Sequence, residues 1–354
     1  MANYIGKTTE MEYTLDAKID LKDRKILTVL SRNCRLTPTQ IAKQVGLSKE
    51  VVLYRMKNLE KKGIIRGYIT VMNPVKIGLQ IFVVYLQTQN MSQEKEGEFI
   101  NRLTKHPSTH YIVHGLGKYD FTFDIIASSI NEFDKILREI LKDFNDYIKL
   151  YEIAPVVDVV RYSHLVDSFS EDIKLNAIKY VSDASFMKDL PAEIDYTQDA
   201  LKIDKTDMAI LSQLSENARV QFKELAEKVN VSDDTIKYRI RNLIKKNIIL
   251  GFLPIINLSM LGYHNHGILM QLNNIEYQEK EKLFQYLKAH SDVFLFLKTS
   301  GLYEIALNIS VRNNLDLHRF IVGVKQKFSR QIRTIDMFLF IKDYKMAFWQ
   351  KSVL

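Results

Sequence analysis

Between residues 23 and 62, apolar residues recur at helical spacing in three short blocks: DRKILTVLSRN, TPTQIAKQVG and SKEVVLYRMKNLEKKG. Thr37 followed by Pro38 is an N-cap with proline at the first helical position. Gly46 then ends the second block, and Ser48 caps the third. Three short helices with a tight turn at Gly46 predict a helix-turn-helix. The period then shortens to that of strands in IIRGYITVMN and FVVYLQTQ, which are β-branched and aromatic. A helical block over 93–105, strands near 109–114 and 120–127, a helix over 131–143 and a strand near 147–153 complete a β-α-β-β-α-β order. That order is the ferredoxin-like plan.

The pattern occurs twice. Shifted by 184 positions, residues 19–78 match residues 203–262 at 23 of 60 positions without a gap. Asp23 meets Asp207, Arg35 meets Arg219, Ser48 meets Ser232, and Tyr54 and Arg55 meet Tyr238 and Arg239. Further on, His106 meets His290, Gly117 meets Gly301, Tyr119 meets Tyr303 and Phe144 meets Phe328. Strands are expected near 266–272, 293–298, 303–310 and 332–341. The fold class is therefore α+β, a tandem repeat of two winged helix-turn-helix domains and two ferredoxin-like domains. The expected division is 16–78 and 79–165 for the first unit and 201–262 and 263–354 for the second. The stretch 166–200 is a polar connector with a helix ending before Pro191.

Composition narrows the function classes. Of 354 residues 46% are hydrophobic and 26% charged, as in a globular protein with a core. No run of about 18 apolar residues marks a membrane span. The first twenty residues lack the apolar stretch of a signal peptide. A single cysteine, Cys34, precludes an internal disulfide and a thiolate metal cage. A cytoplasmic protein is expected, with no cofactor, no metal and no membrane partner. The net charge of +8 favours an anionic partner.

That charge is concentrated. Residues 20–76 hold thirteen Lys or Arg and four Asp or Glu, a net +9, whereas residues 204–264 hold nine and seven, a net +2. In the third helix Val52, Met56 and Leu59 form one apolar stripe, leaving the rest of the surface for a partner. A recognition helix enters the DNA major groove by its N-terminal part. Ser48, Lys49, Glu50, Leu53, Tyr54 and Lys57 are the candidates there. Lys61 and Lys62 at the helix end, and Arg66 in the following hairpin, suit phosphates. Arg55 is either a phosphate contact or a tie within the domain. In the second copy Lys49 and Glu50 become Asp233 and Asp234, which repel phosphate. Arg24, Arg32 and Arg66 become Met208, Glu216 and Leu250. Lys237, Tyr238 and Arg241 remain as contacts, so the first copy is expected to supply most of the affinity for double-stranded DNA.

The motifs DRKIL, CRLTPTQIAKQVGLS and RMKNLEKKGIIRGYITVMNP resemble those of the Lrp/AsnC (feast/famine) transcription regulators. The loop GLGKYDF, with Gly117, Tyr119 and Asp120, is similar to that family's effector-domain signature. The second unit has Gly301, Tyr303 and Glu304 there, with glutamate in place of aspartate. The resemblance implies a non-enzymatic regulator of transcription whose effector sheets pair face to face. It also implies a small effector, often an amino acid, bound near that loop. In a fused chain the pairing would give an intrachain pseudo-dimer, or a homo-oligomer if sheets pair between chains. Siroheme decarboxylases share the two-part architecture. On that alternative, His264 and His266 in HNHGILMQL would act as proton donors in a heme-synthesis enzyme. His106, His110 and His114 recur every four residues but lack the accompanying pattern of a metal site. Gly115 and Gly117 lack the strand-to-helix context of a phosphate loop.

Overall fold

The computed structural model describes residues 9–10, 17–176, 200–274 and 276–346. The connector helix expected before Pro191 lies outside the described residues.

Each unit opens with three helices, α1 (Leu21–Arg32), α2 (Pro38–Val45) and α3 (Lys49–Lys61) in the first, and α6 (Lys205–Glu216), α7 (Phe222–Val229) and α8 (Asp233–Lys245) in the second. The caps read from sequence form as expected. Thr37 and Gln40 make a reciprocal capping box around Pro38. Gly46 sits at φ +69° in the left-handed region, and Ser48 Oγ accepts from Val51 N. In the second unit Asn230 takes the left-handed position at φ +59°, a conformation asparagine tolerates better than most residues. Val52, Met56 and Leu59 are buried on α3, as are Ile236, Ile240 and Leu243 on α8. Each such side chain contributes about 1.5–3 kcal/mol. All six enter one core shared by both three-helix domains.

The strand after each third helix, β2 (Ile65–Met72) and β7 (Ile249–Ile256), does not fold back as a hairpin. The two pair with each other, antiparallel, Tyr68 opposite Pro254 and Val71 opposite Gly251. Reciprocal backbone bonds lock this ribbon to the helices. Cys34 N donates to Phe252 O and Ala218 N donates to Tyr68 O, at 2.8 and 3.0 Å.

The two ferredoxin-like halves close into one barrel. In the first, β3 (Gln80–Thr88), β4 (Thr109–Gly117), β5 (Phe121–Ala127) and β6 (Ile148–Tyr162) carry α4 (Gln93–Lys105) and α5 (Ile130–Leu141). In the second, β8 (His264–Leu272), β9 (Val293–Thr299), β10 (Ile305–Val311) and β11 (Ile332–Met346) carry α9 (Tyr277–Lys288) and α10 (Asn314–Phe328). Eight antiparallel strands run β11-β4-β5-β3-β6-β9-β10-β8 and return to β11; a two-residue strand, β1 (Thr9–Glu10), pairs with β11. The long strands β6 and β11 make the closure, because each leaves its own unit's sheet part-way and continues on the other's. β6 pairs with β3 as far as Pro155 opposite Phe82, then with β9 from Val156 opposite Thr299. Proline lacks the N–H a ladder needs, so it sits where the strand changes partners. The continuation of β6 from residue 154 to Tyr162 was missed from sequence for the same reason, since proline reads as a strand end. Between the sheets lies a core with Tyr85, Tyr119, Tyr303, Phe338 and Phe340. The helices cover the outer faces over separate cores.

Candidate nucleic-acid interface

The outer face of α3 is open. Lys49, Glu50, Leu53, Tyr54, Lys57, Lys61 and Lys62 are exposed, with Tyr54 at 72%. Lys49, Lys57 and Lys61 make no ion pair with any described residue. Lys62 Nζ lies 3.5 Å from Lys18 O. Ser48 is exposed and spends its hydroxyl on the cap. On α8, Tyr238 is exposed at 65% and Arg241 is exposed. Lys237, however, is partly held by Asp234 at 3.3 Å.

Two sequence candidates are placed elsewhere. Arg55 Nη1 donates to Asp20 Oδ1 at 2.9 Å and Asp23 Oδ1 at 2.8 Å, tying α3 to the start of α1. These carboxylates raise the Arg55 guanidinium above its ordinary value. Arg239 repeats the arrangement with Asp204 and Asp207. Both arginines thus belong to the domain's own frame. Arg66 lies on β2, turned inward, with Nη1 3.4 Å from Asp343 Oδ2 and its side chain 17% exposed. The hairpin that would have presented Arg66 to phosphate does not form, since β2 is paired with β7. Arg24 is likewise engaged by Asp172 through two bonds of 3.0 and 2.6 Å and by Phe169 O.

A feature that helix-by-helix reading misses fixes the two heads together. Arg35 donates to Ala218 O at 2.5 Å and Val220 O at 3.0 Å. Arg219 donates to Cys34 O and to Leu36 O, the latter at 3.3 Å. Arg35 also lies over the Phe222 and Phe252 rings, and Arg219 over Tyr68. The two arginines occupy matching repeat positions, so the signal was present in the duplication. Burial pulls Arg35 down to about 10 and pushes the Cys34 thiol up to about 12. A thiol so shifted is inert at neutral pH.

The tyrosines of the signature loops meet inside the barrel. The Tyr119 and Tyr303 side chains are buried, with hydroxyls 2.9 Å apart, and Tyr303 donates to Asp336 Oδ2 at 2.7 Å. Burial, first, and the Asp336 carboxylate raise Tyr303 far above the usual phenol range. Asp120 Oδ2 accepts from Thr88 N and Oγ1 at 2.6 and 2.9 Å; Glu304 Oε2 accepts from Leu272 N at 2.9 Å. The longer glutamate thus reaches the position equivalent to Thr88. Gly117 and Gly301 are exposed at φ +131° and +111°.

The three histidines do not converge. His106 Nδ1 accepts from Ser108 N, His110 is buried, and His114 stacks on Phe121. Among the described residues no group of three or more His, Cys, Asp or Glu could hold a metal ion. His266 is buried and shares the strand face of Ile268 and Met270. Burial and the neighbouring His264 hold it down to about 4. No helix among the described residues is long and apolar enough to cross a membrane.

A family model for winged helix-turn-helix DNA-binding matches residues 19–66 and 203–249. A proline dehydrogenase transcriptional activator from Rhodobacter capsulatus is 34% identical over 123 residues, 34% of this chain and 79% of that protein. The HTH-type transcriptional regulator LrpA of Pyrococcus horikoshii is 33% identical over 129 residues, 34% of this chain and 92% of LrpA. Among solved structures, the siroheme decarboxylase NirDL superposes with a TM-score of 0.59 at 11% identity, covering 93% of this chain and 94% of its own. That likeness is one of fold. The sequence relatives, each matched over most of its own length, carry the family. With a duplicated reading domain and paired ferredoxin-like halves, the chain belongs to the Lrp/AsnC family of transcription regulators.

Proposed function

We propose that the chain is a sequence-specific, double-stranded-DNA-binding transcription regulator in the cytoplasm, working as an intrachain pseudo-dimer modulated by a small effector, with the first reading head supplying most of the affinity. The observation that carries this is the open face of α3, where Lys49, Lys57 and Lys61 stand exposed beside Tyr54 with no ion-pair partner among the described residues. Unpaired lysines on a helix free to enter the major groove are suited to phosphate neutralisation. On α8 the equivalent N-terminus carries Asp233 and Asp234, and Asp234 already engages Lys237.

The test is a salt titration of DNA affinity for the full chain, Lys57→Ala and Arg241→Ala. Each lost phosphate contact flattens the log–log slope by about 0.9. Lys57→Ala should flatten it by that amount and Arg241→Ala by less. An equal or larger effect of Arg241→Ala overturns the asymmetry, and no duplex binding in dilute buffer overturns the regulator. An enzyme acting on a tetrapyrrole is the reading that the shared fold with NirDL keeps in view. Against it, the barrel cavity measures about 110 Å³, below the roughly 300–1,000 Å³ of pockets that bury drug-sized ligands. An absorbance titration with a tetrapyrrole separates the two.

A further inference from the structure

The barrel interior is filled by aromatic rings at the end of the signature loops. At the other end, under the β2–β7 ribbon, it holds a cavity of about 110 Å³. One water's share of liquid is about 30 Å³, so the space suits a small organic molecule. Met72 and Leu250 from the ribbon close it, and both units line it. The lining follows the repeat. His110, Tyr111 and Asp124 of the first unit stand where the second has Phe294, Leu295 and Asn308, and all six face the cavity. The first unit's three are polar or ionisable, whereas of the second unit's three two are apolar and one is a neutral amide.

Asp124 is the side chain of interest. It lies on the inward face of β5, opposite Val83. No described residue donates a hydrogen bond to its carboxylate, and none forms an ion pair with it. Asp124 is half-buried, its remaining exposure being compatible with the cavity it borders, and carboxylates withdrawn from bulk water are as a rule paired or hydrogen-bonded. Here the free oxygens border the cavity, which places the missing partner inside it. Among the described residues no lysine or arginine lines the space. Burial holds His164 down to about 4, so that histidine is neutral at pH 7. Arg66, whose charge acts on His164, is engaged by Asp343.

We propose that this cavity is a binding site for a small primary amine with an apolar body, its ammonium held by the Asp124 carboxylate and its body laid against Phe294, Leu295 and Leu297. A free amino acid fits the lining less well, because its carboxylate would meet no lysine or arginine among the described lining residues. Burial pushes the Asp124 carboxyl up to about 7, and a bound ammonium would restore the anion by supplying the missing countercharge. Asn308 across the space fits the same picture. A second carboxylate there would repel the first, and the second unit carries the neutral isostere of Asp124. Serving as the regulator's effector site is a further step that rests on the DNA-reading function; amine binding itself does not.

The experiment is calorimetric titration of the full chain, without DNA, with isoamylamine and phenethylamine, and with leucine as the zwitterionic comparison. The variants are Asp124→Asn and Leu295→Trp, the second filling the space while leaving the carboxylate in place. Saturable binding of at least one amine is expected, weaker by about tenfold or more for leucine and for both variants. Absence of saturable binding by both amines, equal affinity in Asp124→Asn, or leucine binding as tightly as the amines overturns the site. A gel shift with operator DNA reads the second step separately. Amine binding that leaves DNA affinity unchanged overturns the effector role and leaves the site standing.

Discussion

Replacing Arg35 with alanine removes two hydrogen bonds that run from the first reading domain to the second, to Ala218 O and Val220 O. A hydrogen bond to a charged donor contributes about 1.5–3 kcal/mol net. The guanidinium also lies 4.6 Å from the Phe222 centroid and 5.4 Å from that of Phe252, worth roughly 0.5–1 kcal/mol more. The loss should come to about 3.5–7 kcal/mol, a large fraction of a domain's stability. Arg219→Ala should cost a similar amount through Cys34 O and Leu36 O. The double variant should cost more than the sum, because the two cations repel each other and each single deletion already gains the relief of a repulsion that the double can gain only once. Arg35→Lys should recover only part of the loss, since an ammonium cannot fork to two carbonyls as a guanidinium does. Urea unfolding followed by far-ultraviolet circular dichroism measures this. The helical signal should melt earlier in the variant, ahead of the barrel. A loss below about 1 kcal/mol, or full rescue by lysine, would refute the view that these arginines hold the heads together.

Three further outcomes are expected. Gly267→Val should destabilise by about 1–3 kcal/mol, because a Cβ there would lie 2.3 Å from the Phe338 ring; the first unit pairs Val83 with Ala154 at the matching positions, so adding Phe338→Ala should recover part of the loss in thermal melts. Arg55→Ala should lower stability by about 1–2 kcal/mol through its bonds to Asp20 and Asp23, yet leave the salt slope of DNA binding unchanged, whereas Lys57→Ala does the reverse. The folded Asp124 carboxyl sits at about 7 against 3.8 unfolded, so between those pH values the native state holds the extra proton and stability falls as pH rises. Asp124→Asn removes that dependence and should be the more stable by at most about 4 kcal/mol above pH 7, measured as the difference between two pH series.

The helices were legible because their signals are local. Thr37 with Pro38, Gly46 and Ser48 specify where α2 and α3 begin and end whatever surrounds them. The strands were legible as strands, but their partners were not. Nothing in IIRGYITVMN distinguishes a wing hairpin from a strand that pairs with its copy 184 residues away, so Arg66 was placed on the surface when it is turned inward. Arg55 was ambiguous for a similar reason, since its aspartates lie 35 and 32 residues away. The cavity had a sequence signal that went unread. In FTFDIIA, Asp124 breaks an apolar strand at the parity of Thr122 and Ile126, and its repeat partner is Asn308. A charge in an otherwise apolar strand, neutralised in the copy, marks an inward position under different demands in the two halves.

In a symmetric dimer every position near the two-fold axis is filled twice by the same residue. Fusion removes that constraint, and the chain departs from symmetry selectively. Arg66 and Asp343 form an ion pair, while their repeat partners, Leu250 and Val159, are both apolar and line the cavity. Val83 and Ala154 have become Gly267 and Phe338, one side shrinking as the other grows. Changes made in pairs preserve packing, so the frame need not move. What holds the frame has been kept: Arg35 with Arg219, Arg55 with Arg239, and Tyr119 against Tyr303. Both reading helices are therefore mounted by the same ties on one shared core. Any difference in how they meet a duplex must come from what their outer faces carry. Lys49 and Glu50 on α3, against Asp233 and Asp234 on α8, make that difference one of charge, which salt will screen and a change of register will not.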